Sequence, residues 1–237
     1  MIGYIGEHSA YHHGEASLAS TIINLAQNFV GSNNVNLLHP TGQFGTRATG
    51  GKDHAAPRYI HTIPTAMSKV CFHPSDENLL NVQRDDNTLI EPEWYMPVVP
   101  LILVNGSEGI GTGKFDHTES FFLFILVLGW STTIPCYNPV DIINNIRRLM
   151  NNEEPEPMIP WWRGFKGEIK PAAKHKYDVF GVVKKLNDTT VEITELPIHK
   201  WTQSYKEELE SMITGDKDKE KDGVIKVGDL FHFDNMA

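Results

Sequence analysis

The sequence is poor in cysteine, in positive charge and in long apolar runs. It has two cysteines, Cys71 and Cys136, in 237 residues. That is too few for a disulfide framework and is typical of a protein from a reducing compartment. The net charge of −9 disfavours a simple basic clamp for nucleic acid, although a local patch could still bind phosphates. These shortages predict a protein that works inside the cell.

Neither a membrane span nor a secretory signal is expected. The apolar block at residues 121–128 is about half of the roughly 20 residues that a spanning helix needs. The first stretch, MIGYIGEHSAYHHGE, lacks a basic region followed by an apolar core, the pattern of a secretory signal. With 40% hydrophobic residues, the chain can form one large domain or two smaller ones.

Periodicity predicts both helices and strands. Apolar residues recur at helical spacing in residues 17–29, which indicates an amphipathic helix. Other elements are predicted from caps and alternation: helices over 56–72 (with a bend at Pro64), 140–150 (with Pro139 in the first turn) and 202–214, and strands over 177–183 and 189–197.

Residues 31–57 contain glycine at positions 31, 42, 45, 50 and 51. Each glycine costs ordering entropy, so such a density needs a physical reason. One interpretation is an irregular surface loop. The other is a backbone that must lie close to a ligand.

Two stretches contain candidate functional side chains: EHSAYHHGE near the start and QFGTRATGGKDHAAPRYIHT further on. The His12–His13 pair lacks the spaced third and fourth ligands of a zinc centre, so no metal site is predicted. Taken together and in this order, the two stretches resemble the breakage-reunion region of eukaryotic type II DNA topoisomerases. The resemblance continues through EPEWYMPVVPLILVNGSEGIGTG, WSTTIP, INNIRRLMNNEEPEPM, FKG and TTVEITELPIHKWTQSYKE.

The resemblance implies an α+β fold, in which a winged-helix DNA-binding domain is followed by an incomplete α/β tower domain. The winged-helix domain, itself incomplete at its N-terminus, would occupy residues 1–113, and the partial tower domain residues 130–237. It also implies a catalytic set. Tyr59 would be the nucleophile that attacks a phosphodiester and stays linked to the 5′ end of the DNA. Arg58 would stabilise the transition state with its planar guanidinium, and His13 would lie near the same phosphate.

Four further residues match DNA-contacting positions or are expected to touch phosphates. Tyr11 matches a DNA contact, and Ile110 matches an apolar wedge that enters between base pairs and bends the duplex. Arg47 and Lys52, on the glycine-rich stretch, are expected to touch phosphates. Solvated loop charges are the alternative for these two residues.

The family uses Mg²⁺ and ATP, and the resemblance places both on domains missing from this chain. The expected partners are double-stranded DNA and a second copy of the subunit or a full-length type II topoisomerase, and the expected compartment is the nucleus. Three functions stay open: a catalytic piece that acts only in or beside a complete subunit, a non-catalytic DNA-bending module, and a truncated paralogue that regulates the full-length enzyme. The isolated chain is expected to be inactive.

Residues 114–129 interrupt the resemblance, because the family continues from GTG directly to WS. The Gly113–Lys114 junction can be encoded with a splice-donor consensus, and phenylalanine-rich sequence is what a T-rich intron would encode. We therefore predict a retained intron. A real surface insertion and a buried strand are the alternatives, and a real insertion would expose an apolar patch.

Overall fold

The computed structural model describes residues 2–111, 130–173 and 176–214, and these contain both helices and short strands. The helices are α1 (Ile2–His8), α2 (Glu15–Ala26), α3 (Ala66–Cys71), α4 (Leu101–Val104), α5 (Pro139–Met150) and α6 (Thr202–Thr214). The strands are β1 (Val82–Asp85), β2 (Thr88–Pro92), β3 (Ser107–Gly111), β4 (Trp130–Ile134), β5 (Glu168–Ala173), β6 (Lys176–Phe180), β7 (Val182–Lys185) and β8 (Val191–Glu195). Each strand pairs antiparallel with its neighbour in sequence, in four two-stranded sheets. The α+β class is confirmed.

Helix α2 supplies one wall of the core around which the first region folds. Its Ile23 and Ala26 pack in one buried cluster with Phe44 and Ile60. The predicted helix extends to residue 29, whereas the observed helix ends at Ala26. The Asn33 side-chain amide donates to the carbonyls of Asn24 and Gln27, at 2.6 and 2.9 Å, and so satisfies groups that a longer helix would have used internally.

The predicted helix over residues 56–72 is wrong in its middle. A 3₁₀ turn, Pro57–Tyr59, is followed by extended backbone, and α3 begins only at Ala66. The reason is pairing with an earlier segment. His61 and Thr41 exchange both backbone N–H···O bonds, at 3.0 and 3.1 Å, and these long-range bonds replace the local bonds of a helix.

The buried side chain of Asn34 ties the first region to the second. Its amide nitrogen donates to the carbonyl oxygens of Val104 and Trp161, at 2.9 and 3.0 Å. Its amide oxygen accepts from the backbone N–H of Arg163 at 2.8 Å. With 3% of its surface exposed, Asn34 depends on these partners, since a buried amide without them would be costly.

Strands β3 and β4 form a hairpin whose register runs from Ser107 opposite Ile134 to Gly111 opposite Trp130. The hairpin is anchored at its base, where Asn105 donates to the carbonyl of Val35 at 2.8 Å and accepts from its N–H at 2.9 Å. Residues 114–129 lie outside the described part of the chain.

The second region agrees closely with expectation. Helix α5 begins at Pro139, and the Asn138 side chain caps it by accepting from the N–H of Val140. The predicted helix at 202–214 and the strands within 177–183 and 189–197 are confirmed. Within the described residues, no helix has the length and apolar character needed to cross a membrane.

Candidate functional site

Tyr59 lies at the end of a short turn that points its ring outward. Its backbone N–H donates to the carbonyl of Ala56 at 2.9 Å, which closes the 3₁₀ turn. The Tyr59 side chain is 68% exposed, whereas the next residue, Ile60, is buried. The Arg58 guanidinium carbon lies 4.9 Å from the centre of the Tyr59 ring. The phenol is therefore open to a large substrate and has a permanent cation beside it.

The turn is fixed to the core through Ile60. That side chain belongs to the buried cluster of Ile23, Ala26 and Phe44, so α2 supports the residue immediately after Tyr59. A reactive side chain next to a packed one is held more narrowly than a side chain on a free loop.

The segment we call the glycine-rich loop, residues 45–53, is held by protein groups on both sides. The Gln27 amide nitrogen, buried, donates to the carbonyls of Phe44 and Gly51 at 3.0 and 3.4 Å. The N–H of Ala55 donates to the carbonyl of Gln43 at 2.9 Å and closes the ends of the loop. The glycines here allow close packing of protein on protein, which neither interpretation of the sequence included.

Asp53 organises the interior of the same loop. Its carboxylate accepts from the N–H of Thr46 at 2.8 Å and from the hydroxyls of Thr46 and Thr49, both at 2.6 Å. Burial by itself would raise the pKa of this carboxyl, but the bonds from the two threonines favour the ionised form and lower the pKa to about 2.

The two cations predicted to touch phosphates differ in their surroundings. The Arg47 guanidinium pairs with the Glu195 carboxylate and donates to the carbonyl of Leu196 at 2.7 Å. Lys52 is exposed on the same loop. Arg47 is thus already engaged with the second region, and phosphate contact by either residue stays a prediction.

Tyr11 and His13 lie together just before α2. Their rings meet edge to face at 5.4 Å, and the Tyr11 hydroxyl is 2.9 Å from the hydroxyl of Ser17. Helix α2 starts at Glu15, which lines a cavity of about 530 Å³ together with Arg58. The start of α2 and the tyrosine turn therefore border one space, and His13 is exposed.

The backbone of Ile110 lies in β3, opposite Ser131. Its side chain lies outside what the structure describes, so the wedge role stays a prediction. The residue nonetheless has a defined place, one position from the last pair of the β3–β4 ladder.

Among residues 2–111, 130–173 and 176–214, no group of three or more His, Cys, Asp or Glu side chains is placed to hold a metal ion. Asp53, the carboxyl with the strongly lowered pKa, has its oxygens occupied by threonine donors. These residues do not fit a divalent cation.

Several supporting residues were not found from the sequence, namely Gln27, Asn34, Glu195 and Trp201. Each acts through partners far away in the chain, and periodicity detects only neighbours. The density of glycine was the one usable signal, because Gly50 lies directly against the Trp201 indole.

Comparison with known proteins identifies the family. The family model described as DNA gyrase/topoisomerase IV matches residues 1–121 and 126–232. DNA topoisomerase 2 of Pisum sativum is 55% identical over 216 residues, which are 91% of this chain and 14% of that protein. Human DNA topoisomerase 2-alpha is 52% identical over 91% of this chain and 13% of its own length.

The fold agrees with these relatives. The crystal structure of the Plasmodium falciparum topoisomerase II DNA-binding, cleavage and re-ligation domain superposes with a TM-score of 0.81 at 49% identity. The match covers 92% of this chain and 28% of that one. The chain spans about a seventh of the length of its two full-length relatives. It therefore belongs to the DNA gyrase/topoisomerase IV family and is homologous to the breakage-reunion region of eukaryotic DNA topoisomerase 2.

Proposed function

We propose that this chain is the tyrosine-bearing part of an ATP-dependent type II DNA topoisomerase, which breaks both strands of a duplex, passes a second duplex through and rejoins the ends. One observation carries the proposal. Tyr59 is 68% exposed, lies 4.9 Å (ring centre) from the Arg58 guanidinium carbon, and follows a turn fixed to the core through Ile60.

The proposed chemistry is a reversible transfer between two oxygen atoms. The phenolic oxygen of Tyr59 attacks the phosphorus of a phosphodiester, the bond from phosphorus to the 3′ oxygen breaks, and the phenolic proton is lost as the 3′ hydroxyl gains one. A phosphotyrosine at the 5′ end conserves the bond energy. Rejoining is the same step in reverse, which hydrolysis would not permit.

Arg58 is proposed to meet the negative charge that builds up on the non-bridging phosphate oxygens. Its donors are fixed in one plane and fit two such oxygens at once. His13, exposed before α2, is proposed to contact the same phosphate from the other side of the cavity that Glu15 and Arg58 border. No step here runs through a metal, because the described residues do not fit one.

Double-stranded DNA is the proposed substrate, with Tyr11, Arg47 and Lys52 along its backbone and Ile110 as the bending wedge. A second copy of the subunit or a full-length topoisomerase is the proposed partner, and the nucleus the proposed compartment. Mg²⁺ and ATP are assigned to other parts of the full-length enzyme, since the chain spans 13–14% of its relatives. By itself the chain is proposed to be inactive.

A covalent-adduct assay tests this proposal. The full chain is incubated with labelled duplex DNA, Mg²⁺ and a full-length topoisomerase 2 whose own nucleophilic tyrosine is replaced by phenylalanine. We expect a DNA adduct on this chain that maps to Tyr59, and none with Tyr59→Phe, because that change removes the attacking oxygen and leaves the ring. Arg58→Ala should slow adduct formation roughly 10²-fold, the scale for one lost transition-state donor.

The same assay separates the alternatives. An adduct that survives Tyr59→Phe would refute the assignment of the nucleophile. If wild-type chain forms no adduct yet changes the decatenation rate of an unmodified full-length enzyme, the chain is a regulator and not a catalytic piece.

A further inference from the structure

A short segment of the second region holds the glycine-rich loop. We call this segment, residues 195–203, the clamp. The Arg47 guanidinium meets the Glu195 carboxylate with one nitrogen and the Leu196 carbonyl with another, the latter at 2.7 Å. The N–H of Gln203 donates to the carbonyl of Ala48 at 2.9 Å. The Glu195 side chain is 6% exposed, so its charge depends on Arg47.

Trp201 adds an apolar contact from the same segment. A Cβ atom on Gly50 would overlap the Trp201 indole, so the ring fills the space that a side chain would need. Phe29 packs edge to face against the other side of Trp201, with ring centres 5.9 Å apart. The loop is thus gripped by a charge pair at Arg47 and by a ring at Gly50.

The grip is transmitted to the tyrosine turn through few bonds. The loop is closed by the bond from Ala55 to Gln43. The next residue, Ala56, accepts the N–H of Tyr59 and caps the 3₁₀ turn. Any displacement of the loop therefore moves the start of the turn that aims Tyr59.

We propose that the clamp sets the position of Tyr59 and makes DNA cleavage by the first region dependent on the second region, with Glu195 and Trp201 as positioning residues. This inference rests on the proposed function. It also gives Arg47 a role different from phosphate binding, because its planar fork is used to join the loop to the clamp.

Arg47→Lys separates these two roles. Lysine keeps the positive charge for a phosphate but cannot meet Glu195 and the Leu196 carbonyl together. Glu195→Gln keeps the shape and removes the charge, and Trp201→Phe keeps a smaller ring. Glu192→Gln, an exposed change on the same hairpin, is the matched control. All variants are made in the full chain.

Three quantities are measured for each variant: DNA affinity with its salt dependence, the rate of adduct formation at saturating DNA, and amide hydrogen exchange at Gly51 and Tyr59. We expect Arg47→Lys and Glu195→Gln to slow adduct formation roughly 10- to 100-fold, the scale for a misplaced reactive group. DNA affinity should stay unchanged and exchange at both amides should become faster. Trp201→Phe should have a smaller effect in the same direction, and Glu192→Gln none.

The inference is overturned if Arg47→Lys and Glu195→Gln form adducts at the wild-type rate, or if their only defect is weaker DNA binding. A wild-type chain that forms no adduct would count against the proposed function. Hydrogen exchange would then decide the clamp alone: faster exchange at Tyr59 supports it, and unchanged exchange in both variants refutes it.

Discussion

The turn that carries Tyr59 and the hairpin that carries Ile110 are supported in different ways. The tyrosine turn follows a loop that is bonded inside itself, to α2 and to the clamp. The β3–β4 hairpin is held by its own ladder and, at its base, by the Asn105–Val35 pair. A nucleophile must be aimed to a fraction of an ångström, whereas a wedge needs only to project. The difference predicts that the two parts respond very unequally to mutation.

The largest difference is expected from adding one methyl group to each part. At Gly45 the backbone has φ of 101°, and a Cβ would lie 2.5 Å from the Cα of Gly51. Gly45→Ala should therefore cost about 3 kcal/mol in the free energy of unfolding. At Gly109, by contrast, no atom lies within 4 Å of the added carbon. Gly109→Ala should change stability by less than about 0.5 kcal/mol. Urea titration checks both, and equal costs would contradict the comparison.

The next effect in size comes from pH. The folded state lowers the pKa of Asp53 from 3.8 to about 2, so the ionised carboxylate favours folding. The stabilisation is complete above the ordinary value of 3.8 and is lost as the pH falls through about 2. It amounts to roughly 2 kcal/mol. Thermal unfolding of wild type and Asp53→Asn between about pH 5 and pH 2 measures it.

In that series, wild type should lose more stability than Asp53→Asn as the pH falls below about 4. Thr49→Val removes one donor to the carboxylate and should give an intermediate slope. Parallel curves for wild type and Asp53→Asn would mean that the carboxylate does not hold the loop.

Ile110→Gly sharpens the comparison from the hairpin side. We expect less DNA bending, measured by energy transfer between end labels, because an inserted apolar side chain is what kinks the duplex. The salt dependence of DNA affinity should persist, since it comes from phosphate contacts. Protein stability should fall only by about 1 kcal/mol, the scale for glycine within a strand. Ile110→Val, which keeps an apolar side chain, is the control, and unchanged bending in Ile110→Gly would refute the wedge.

The smallest effect is expected from the largest deletion. Because Gly111 lies opposite Trp130, removing residues 114–129 would leave Thr112 and Gly113 to connect the strands. Two residues are the commonest length of a hairpin loop. We propose that residues 114–129 are a retained intron, and that their deletion shifts the unfolding midpoint by less than about 2 °C.

A deletion of residues 112–129 is the matched control, because it leaves no loop between the paired ends and should destabilise the hairpin. Transcript sequencing tests the same proposal directly, and peptides from residues 115–129 in the native protein would overturn it. A large loss of stability on deleting residues 114–129 would favour a real insertion instead.

The two parts also differ in how far the sequence predicts them. Helices α5 and α6 follow from local signals, a proline in the first turn and apolar spacing, and the structure confirms both. The sequence predicts a helix through Tyr59, because nothing nearby in the chain reveals that Thr41 pairs with His61. The motifs give the candidate residues of the site through family resemblance. They do not give Gln27 or Glu195, whose partners lie 17 to 148 positions away.

The Asn34 amide has a consequence for the order in which the molecule folds. Its partners Val104, Tyr137 and Trp161 lie 70, 103 and 127 positions later in the chain. During synthesis, α2 leaves the ribosome long before any of these carbonyls exists, so the amide stays hydrated and the joint stays open. Contacts of such long range carry a high closure entropy and form late. The two regions therefore reach their native arrangement together, only after Trp161 has emerged.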